Sequence, residues 1–252
     1  MLEQRGTCTC FAYGQTGSGK SHSMQGVQAQ AVSELFEAAR AKGEREGVHI
    51  AFSVSYYEIY GGRLYDLLNN HERLNVCEDK TGAVQIQGLR EVDVQDEQTL
   101  LECIEYGASV RMTQATASND VSSRSHAICT ISMREMRQGA GGKWVFEQGG
   151  KLLLVDLAGS ERAADCQSND KARRAEGAEI NKSLLALKEC LRAFEANKGG
   201  AGAHVPFRQA KLTLVLRDSF VNRGGGVRIV MLCCVSPGKS SADHTLNSLR
   251  YA

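Results

Sequence analysis

The sequence has no apolar run that approaches the roughly 18–20 residues a bilayer-spanning helix needs. Its first residues, MLEQRGTCTCF, also lack the layout of a signal peptide. No internal repeat, low-complexity tract or Pro-rich linker interrupts the chain. A chain of 252 residues is long enough for one large α/β domain or two small ones, and one domain is the simplest prediction.

Metal-binding cysteine spacing is absent as well. Nine cysteines are scattered along the chain, and the closest pairs, Cys8-x-Cys10 and Cys233-Cys234, do not form a C-x-x-C motif. We therefore expect reduced thiols that pack as small apolar side chains, rather than disulfides or a metal site.

The sequence has almost no excess of charge of one sign. A net charge of +1 argues against a nucleic-acid or membrane footprint over the whole protein. Charge is uneven, however, because residues 162–223 hold 12 basic and 7 acidic side chains and so a net charge of +5. This segment predicts a local basic face on a nearly neutral protein.

Apolar and β-branched segments alternate with helical ones, which predicts an α/β fold with a central sheet. The predicted strands cover residues 7–13, 48–60, 82–94, 126–136, 151–157 and 227–235. The first predicted helix runs from the Gly-rich turn through residue 42, and the others cover residues 97–112, 176–194 and 207–220. Strand 151–157 is apolar on both faces, as a central buried strand is expected to be. Helix 207–220 is entered through Pro206.

The stretch FAYGQTGSGKS, residues 11–21, follows the first strand and precedes helical sequence. Gly14, Gly19, Lys20 and Ser21 match the pattern G-x-x-x-x-G-K-[S/T] of a phosphate-binding loop. Glycines let backbone N–H groups surround phosphate oxygens, lysine neutralises the outer phosphates, and the hydroxyl can bind Mg²⁺. The alternative is a Gly/Ser-rich surface turn, which the flanking strand and helix disfavour.

Two further segments supply the other parts of a triphosphate site. Asp156 ends an apolar strand, where it could hold a water of Mg²⁺, and Gly159 offers a backbone N–H with no side chain in the way. The alternative is an aspartate that caps a turn. The segment NDVSSRSH, residues 119–126, is rich in hydroxyls around Arg124 and would pass alone as a polar loop.

Together the three segments resemble, in order and spacing, the P-loop and the two switches of kinesin motor domains. EINKSL and HVPFRQAKLTLVLRDSF match the segments that follow, and the triplet Lys188-Glu189-Cys190 is similar to a signature of the internal-motor, microtubule-depolymerising class thirteen. The resemblance covers nearly the whole chain. It implies a P-loop NTPase of kinesin type, with a central, mostly parallel mixed sheet flanked by helices. Residues 1–252 would form a single kinesin motor domain, N-terminally incomplete.

The sequence departs from the family pattern in four places. Ser21 stands where threonine is usual, and Ser160 stands where the depolymerising class usually has asparagine. The family's opening strand, with its Arg-x-Arg-Pro segment, and the loop with a Lys-Val-Asp tip have no counterpart. In the family that opening strand pairs with the last one, so we expect residues 227–235 to form an unpaired edge.

The resemblance implies roles for individual residues around ATP and Mg²⁺. Arg124 and Glu161 would form the ion pair that closes the two switches, and Glu161 with Ser123 would relay the proton of the lytic water. Gly159 would sense the γ-phosphate, and Ser21, Ser123 and Asp156 would hold the metal. Residues that would surround the nucleotide are Gly14, Gln15, Thr16, Gly17, Ser18, Gly19, Lys20, Ser21, His22, Asn119 and Ser122.

The resemblance also gives the basic segment a partner, because tubulin is acidic. The candidate contacts are Lys188, Arg192, Lys198, Arg208 and Lys211, although any one of them could simply lie on a solvated helix face. It further implies a cytoplasmic protein of the microtubule cytoskeleton, at a spindle or flagellum, with no nucleic-acid or membrane partner. Oligomeric state stays open.

Several functions remain compatible with the sequence. The first is an ATPase that destabilises or depolymerises microtubule ends. The alternatives are a non-catalytic or degenerate tubulin-binding module that retains the motifs, and a kinesin that translocates along the lattice. A P-loop enzyme of another kind, such as a nucleotide kinase, is remote because no second substrate pocket is suggested.

Overall fold

A computed structural model describes residues 6–80, 82–118, 123–138, 144–161, 171–198, 202–221 and 226–251. The strands are β1 (Thr7–Tyr13), β2 (His49–Tyr60), β3 (Arg63–Asp66), β4 (Arg73–Glu78), β5 (Val84–Gln87), β6 (Val92–Val94), β7 (His126–Gln138), β8 (Trp144–Asp156) and β9 (Val227–Cys233). The α-helices are α1 (Lys20–Glu46), α2 (Glu97–Ser118), α3 (Lys171–Lys198), α4 (Lys211–Val215) and α5 (Ala242–Tyr251).

The strands form one mixed sheet in the order β5-β4-β3-β2-β7-β8-β1-β9, and β6 pairs with β2 on the side. The mixed sheet confirms the predicted fold class, but the expected predominance of parallel pairing is wrong for the described strands. Among the described strands, only β1 runs parallel to its neighbours β8 and β9, while the other pairings are antiparallel. The cause is the connections, because β7 and β8 follow each other as a long hairpin.

Helices cover both faces of this sheet. Apolar side chains of α1 and α2 pack on one face, where Val32 and Leu100 are fully buried. Side chains of α3, α4 and α5 pack on the other face, with Leu187 and Leu212 at its centre. Within the described ranges, no helix is both long and apolar enough to cross a membrane.

Two predicted elements are divided in the structure. Residues 82–94 form β5 and β6, because the chain turns at Gly88, whose φ of 83° is left-handed. Residues 207–220 form a 3₁₀ turn (Phe207–Gln209), the short α4 and a second 3₁₀ turn (Arg217–Ser219). Ala210 has extended backbone angles (φ −142°, ψ 155°), so one helix cannot run through this segment.

β9 lies at the end of the sheet order, as predicted for residues 227–235. Its one pairing among the described residues is with β1, and Val230 is 55% exposed. The eight cysteines that the structure describes are free thiols, and Cys129 and Cys190 are fully buried.

Candidate functional site

The segment 14–19 forms a tight loop between β1 and the first turn of α1. Gly14 has φ +155°, and a Cβ there would overlap the backbone carbonyl of Cys234. Gly19 precedes α1 in a left-handed conformation (φ +88°), which favours glycine. The first N–H groups of a helix lack partners within it, so the start of α1 presents partial positive charge to the loop, and no acidic residue in its first turn offsets that charge.

Lys20 is folded back onto this loop. Its Nζ donates a hydrogen bond of 2.9 Å to the backbone carbonyl of Gln15, and the residue is 7% exposed. Burial lowers the pKa of Lys20, while the carboxylates of Asp156 and Glu161 act in the opposite direction. The ammonium group is thus held beside two acids at the mouth of the loop.

Ser21 and Asp156 meet beneath the loop. Ser21 Oγ donates to Asp156 Oδ2 at 2.7 Å, and Asp156 is the last residue of β8. The other carboxylate oxygen, Oδ1, is buried and accepts no hydrogen bond from the described residues. A hydroxyl beside a carboxylate with an unsatisfied oxygen fits the ligand preference of Mg²⁺ and its waters.

Arg111 of α2 also binds Asp156, a contact that the sequence prediction missed. Its Nη1 donates to Asp156 Oδ2 at 2.6 Å, and its Nη2 donates to the carbonyl of Ser125 at 2.9 Å. Arg111 is the only basic residue in the sequence of α2, and an isolated cation on a helix packed against a sheet was the available signal.

The turn after β8 contacts both the phosphate loop and the segment that leads into β7. The Gly159 N–H donates to the carbonyl of Ser123 at 2.8 Å, and the Ser160 N–H donates to the carbonyl of Gly14 at 3.1 Å. A Cβ at Gly159 would overlap the side-chain ends of Thr16 and Glu161, so a larger residue here would have to displace them.

The expected ion pair between Arg124 and Glu161 is not formed in this structure, and each residue has another partner. Glu161 accepts hydrogen bonds from the backbone N–H (2.9 Å) and the hydroxyl (2.5 Å) of Thr16 in the phosphate loop. Arg124 Nη1 donates to Glu176 of α3 at 3.2 Å. Glu176 also accepts a hydrogen bond from Tyr60, which raises the pKa of Tyr60 to about 12.

His126, the last residue of the predicted polar segment, is a second residue that sequence reasoning left without a role. Its Nδ1 accepts the backbone N–H of Ala158 at 3.1 Å, and its Nε2 lies 2.7 Å from Ser183 Oγ of α3. Burial, followed by the positive charges of Arg111 and Lys20, lowers the pKa of His126 to about 3. The ring is therefore neutral.

The structure describes most, but not all, of the other residues predicted to surround the nucleotide. Gln15 Oε1 and Ser18 Oγ are buried in the loop with no hydrogen-bond partner among the described residues, while Thr16 and Gly17 are exposed. His22 is exposed on the first turn of α1, and Ser123 lies beside the turn at Gly159. Asn119 and Ser122 lie outside the described residues.

The predicted tubulin contacts lie on α3 and on the segment around α4, which pack against each other. Arg192 and Lys211 are exposed, whereas Lys188 is half-buried with Nζ 5.1 Å from the ring centre of Tyr251. Arg208 is exposed and donates three hydrogen bonds to the carboxylate of Glu78, from Nε to Oε1 (3.2 Å) and Oε2 (3.1 Å) and from Nη2 to Oε2 (2.8 Å). The side chain of Lys198 lies outside the described residues.

Known proteins that are similar in sequence to this chain include kinesins. The chain is 47% identical over its whole length to Kinesin-like protein KIN-13B of Arabidopsis thaliana, and it covers 35% of that protein. It is 46% identical to Kinesin-like protein KIN-13A of Oryza sativa, of which it covers 31%. The chain thus spans about a third of the length of these relatives.

Solved structures of kinesin motor domains are also similar to this chain. The motor domain of the Kar3-like kinesin from Ashbya gossypii matches 99% of this chain and 74% of its own length, with a TM-score of 0.78 and 31% identity. The motor domain of the Kar3 protein from Saccharomyces cerevisiae matches with a TM-score of 0.79 over 98% of this chain and 73% of its own. The family profile described as "Kinesin motor domain" matches residues 3–252, and the chain therefore belongs to the kinesin motor domain family.

Proposed function

We propose that residues 1–252 act as one ATP-hydrolysing microtubule motor domain, from a kinesin that destabilises or depolymerises microtubule ends. The observation that carries the proposal is the pairing of Ser21 with Asp156 under the phosphate loop, with Asp156 Oδ1 left unsatisfied. A buried carboxylate oxygen without a partner is costly unless a ligand satisfies it. The class assignment rests on the similarity to KIN-13 proteins.

The residues around the loop divide the chemistry among them. Lys20 would bind the outer phosphates, and backbone N–H groups of the loop and of the start of α1 would bind phosphate oxygens. Ser21, Ser123 and Asp156 would hold Mg²⁺, which when bound neutralises charge on the phosphates. Glu161, with Ser123, would accept and pass on the proton of the attacking water.

Hydrolysis in this scheme requires Glu161 and Arg124 each to exchange its present partner. Glu161 has to leave Thr16, and Arg124 has to leave Glu176, before the two can pair and close the site. Because Glu176 belongs to α3, this exchange also removes a contact that fixes the first half of that helix. Closure of the nucleotide site is therefore linked to the helix that carries Lys188 and Arg192.

Microtubules are the proposed partner. Arg192 and Lys211 present exposed positive charge on adjoining elements, and the surface of tubulin is acidic, so electrostatic attraction favours contact through this face. Lys188 and Arg208 would join it by leaving Tyr251 and Glu78, respectively.

The direct test is phosphate release from the purified chain with ATP and Mg²⁺, with and without microtubules. We expect slow release that microtubules accelerate. A rate that stays flat when microtubules are added, together with retained tubulin binding, would identify a non-catalytic tubulin-binding module instead.

The class assignment has its own assay. Stabilised microtubules should shorten from their ends when the protein and ATP are added, as followed by fluorescence microscopy. If the microtubules glide over the immobilised protein and keep their length, the protein is a translocating kinesin.

A further inference from the structure

His126 lies between two parts of the molecule that the proposed cycle moves. On one side its ring contacts the Ala158–Gly159 turn, whose glycine would sense the γ-phosphate. On the other side it contacts Ser183, in the middle of α3. The ring is 3% exposed, so water does not compete for either contact.

The hydrogen bonds through His126 have one consistent arrangement of protons. The backbone N–H of Ala158 can only donate, so Nδ1 must be the unprotonated nitrogen and Nε2 must carry the proton. Nε2 then donates to Ser183 Oγ, and the Ser183 hydroxyl donates in turn to the carbonyl of Ile180 at 2.7 Å. Each donor and acceptor in this series of hydrogen bonds has a partner, and no single hydrogen bond can reverse its direction without the others.

The ring is also held on a fixed support. His126 begins β7 and pairs with Ile59 of β2, and the next residue, Ala127, pairs with both Glu58 and Asp156. A strand fixed on both sides cannot follow a moving neighbour. A shift of the turn or of α3 must therefore stretch a buried hydrogen bond, which is costly when no water replaces the partner.

We propose that His126 is a positioning residue that couples the Ala158–Gly159 turn to α3, so that the place of the helix depends on the conformation of the turn. This inference rests on the proposed function. It differs from the exchange of Arg124 between acids, because the contact through His126 is neutral, buried and independent of an ion pair. In this proposal Ser183 is the residue of α3 through which His126 holds the helix.

Replacement of Ser183 by alanine tests the coupling without touching the nucleotide site. We expect Ser183→Ala to keep phosphate release without microtubules within about twofold of the wild type. Its acceleration by microtubules should fall by about fivefold, the size expected for one buried hydrogen bond. His126→Asn keeps an acceptor for the Ala158 N–H but is too short to reach Ser183, and it should lose acceleration in the same way.

The matched control is Ser219→Ala. Ser219 Oγ accepts a buried hydrogen bond of 2.7 Å from Thr9, and this bond joins β1 to a 3₁₀ turn rather than the turn at Gly159 to α3. This variant should lose a similar amount of thermal stability and keep its acceleration by microtubules.

Hydrogen–deuterium exchange gives a readout that does not depend on hydrolysis. In the wild type, a non-hydrolysable ATP analogue should change exchange in peptides of α3, and in Ser183→Ala this response should be lost. An unchanged α3 response, or full acceleration by microtubules in Ser183→Ala, would overturn the role of His126 alone. A wild type that neither binds the analogue nor responds to microtubules would overturn the proposed function as well.

Discussion

Ser21 and Asp156 lie on elements of regular structure, whereas Arg124 and Glu161 lie on the connecting loops, and the two pairs behave differently. The start of α1 and the end of β8 bring Ser21 and Asp156 within hydrogen-bonding distance. Arg124 and Glu161 each bond to a neighbour instead of to each other. Helix and strand ends thus fix the part of the site around Ser21 and Asp156, which we call the phosphate side. Side-chain contacts that can be exchanged form the part around Arg124 and Glu161, which we call the switch side.

The strongest test of this division is Glu161→Ala. We expect hydrolysis to fall by roughly a hundredfold or more, the size of a lost general base, while nucleotide binding persists. The reason is that Glu161 bonds to Thr16 now but would act on water in the closed state. Single-turnover phosphate release and equilibrium binding of a fluorescent ADP measure the two effects separately.

The control for this variant is Glu44→Ala, an exposed acid near the far end of α1, which should change neither quantity. A loss of nucleotide binding in Glu161→Ala would mean that its contact with Thr16 supports the loop, and that its assigned part in hydrolysis is wrong.

The fixed side of the site is tested by Lys20→Met. We expect nucleotide affinity to fall by roughly ten- to a hundredfold, because the variant loses a charge-assisted contact with phosphate. Lys42→Met is a close match, since both lysines belong to α1 and each is 7% exposed. Lys42 pairs with Glu135, so its replacement should lower stability and leave affinity unchanged. Equal losses of affinity in both variants would contradict the assignment of Lys20.

Sequence reasoning succeeded where local pattern decides the structure. The loop at residues 14–19 and the start of α1 follow from glycines that tolerate φ values of +79° and +88° at Gly17 and Gly19. Asp156 could be placed because an apolar strand ends there. The sheet edge at β9 was predicted from the family resemblance and is found where expected.

Contacts between distant residues could not be read in this way. Arg111 and Asp156 are 45 residues apart, and His126 and Ser183 are 57 apart, so their meeting depends on how the helices pack on the sheet. Arg124 has more than one acidic residue with which it could pair, and the sequence does not show which pair forms. The split of residues 207–220 also depends on one backbone conformation, at Ala210.

A smaller effect on phosphate release is expected when a substitution makes Arg124 more likely to leave Glu176 for Glu161. Glu176→Gln removes the charge that holds Arg124 on α3, so Arg124 should pair more readily with Glu161. We expect phosphate release without microtubules to rise by about two- to fivefold. The control is Glu179→Gln, which lies almost one turn later on α3 and should have little effect. A fall in the rate would show that the contact with Glu176 supports hydrolysis.

The smallest expected effect compares two arginines on the proposed microtubule face. Arg192→Ala should weaken microtubule binding at low salt by about two- to threefold, since exposed interface charges contribute little individually. Arg208→Ala should weaken it less, because Glu78 is already paired with Arg208 through three hydrogen bonds. In a Glu78→Gln background the two losses should become equal, as measured by co-sedimentation over a salt series. If Arg208→Ala has the larger effect in both backgrounds, Arg208 leaves Glu78 on binding and the static pairing does not predict its contribution.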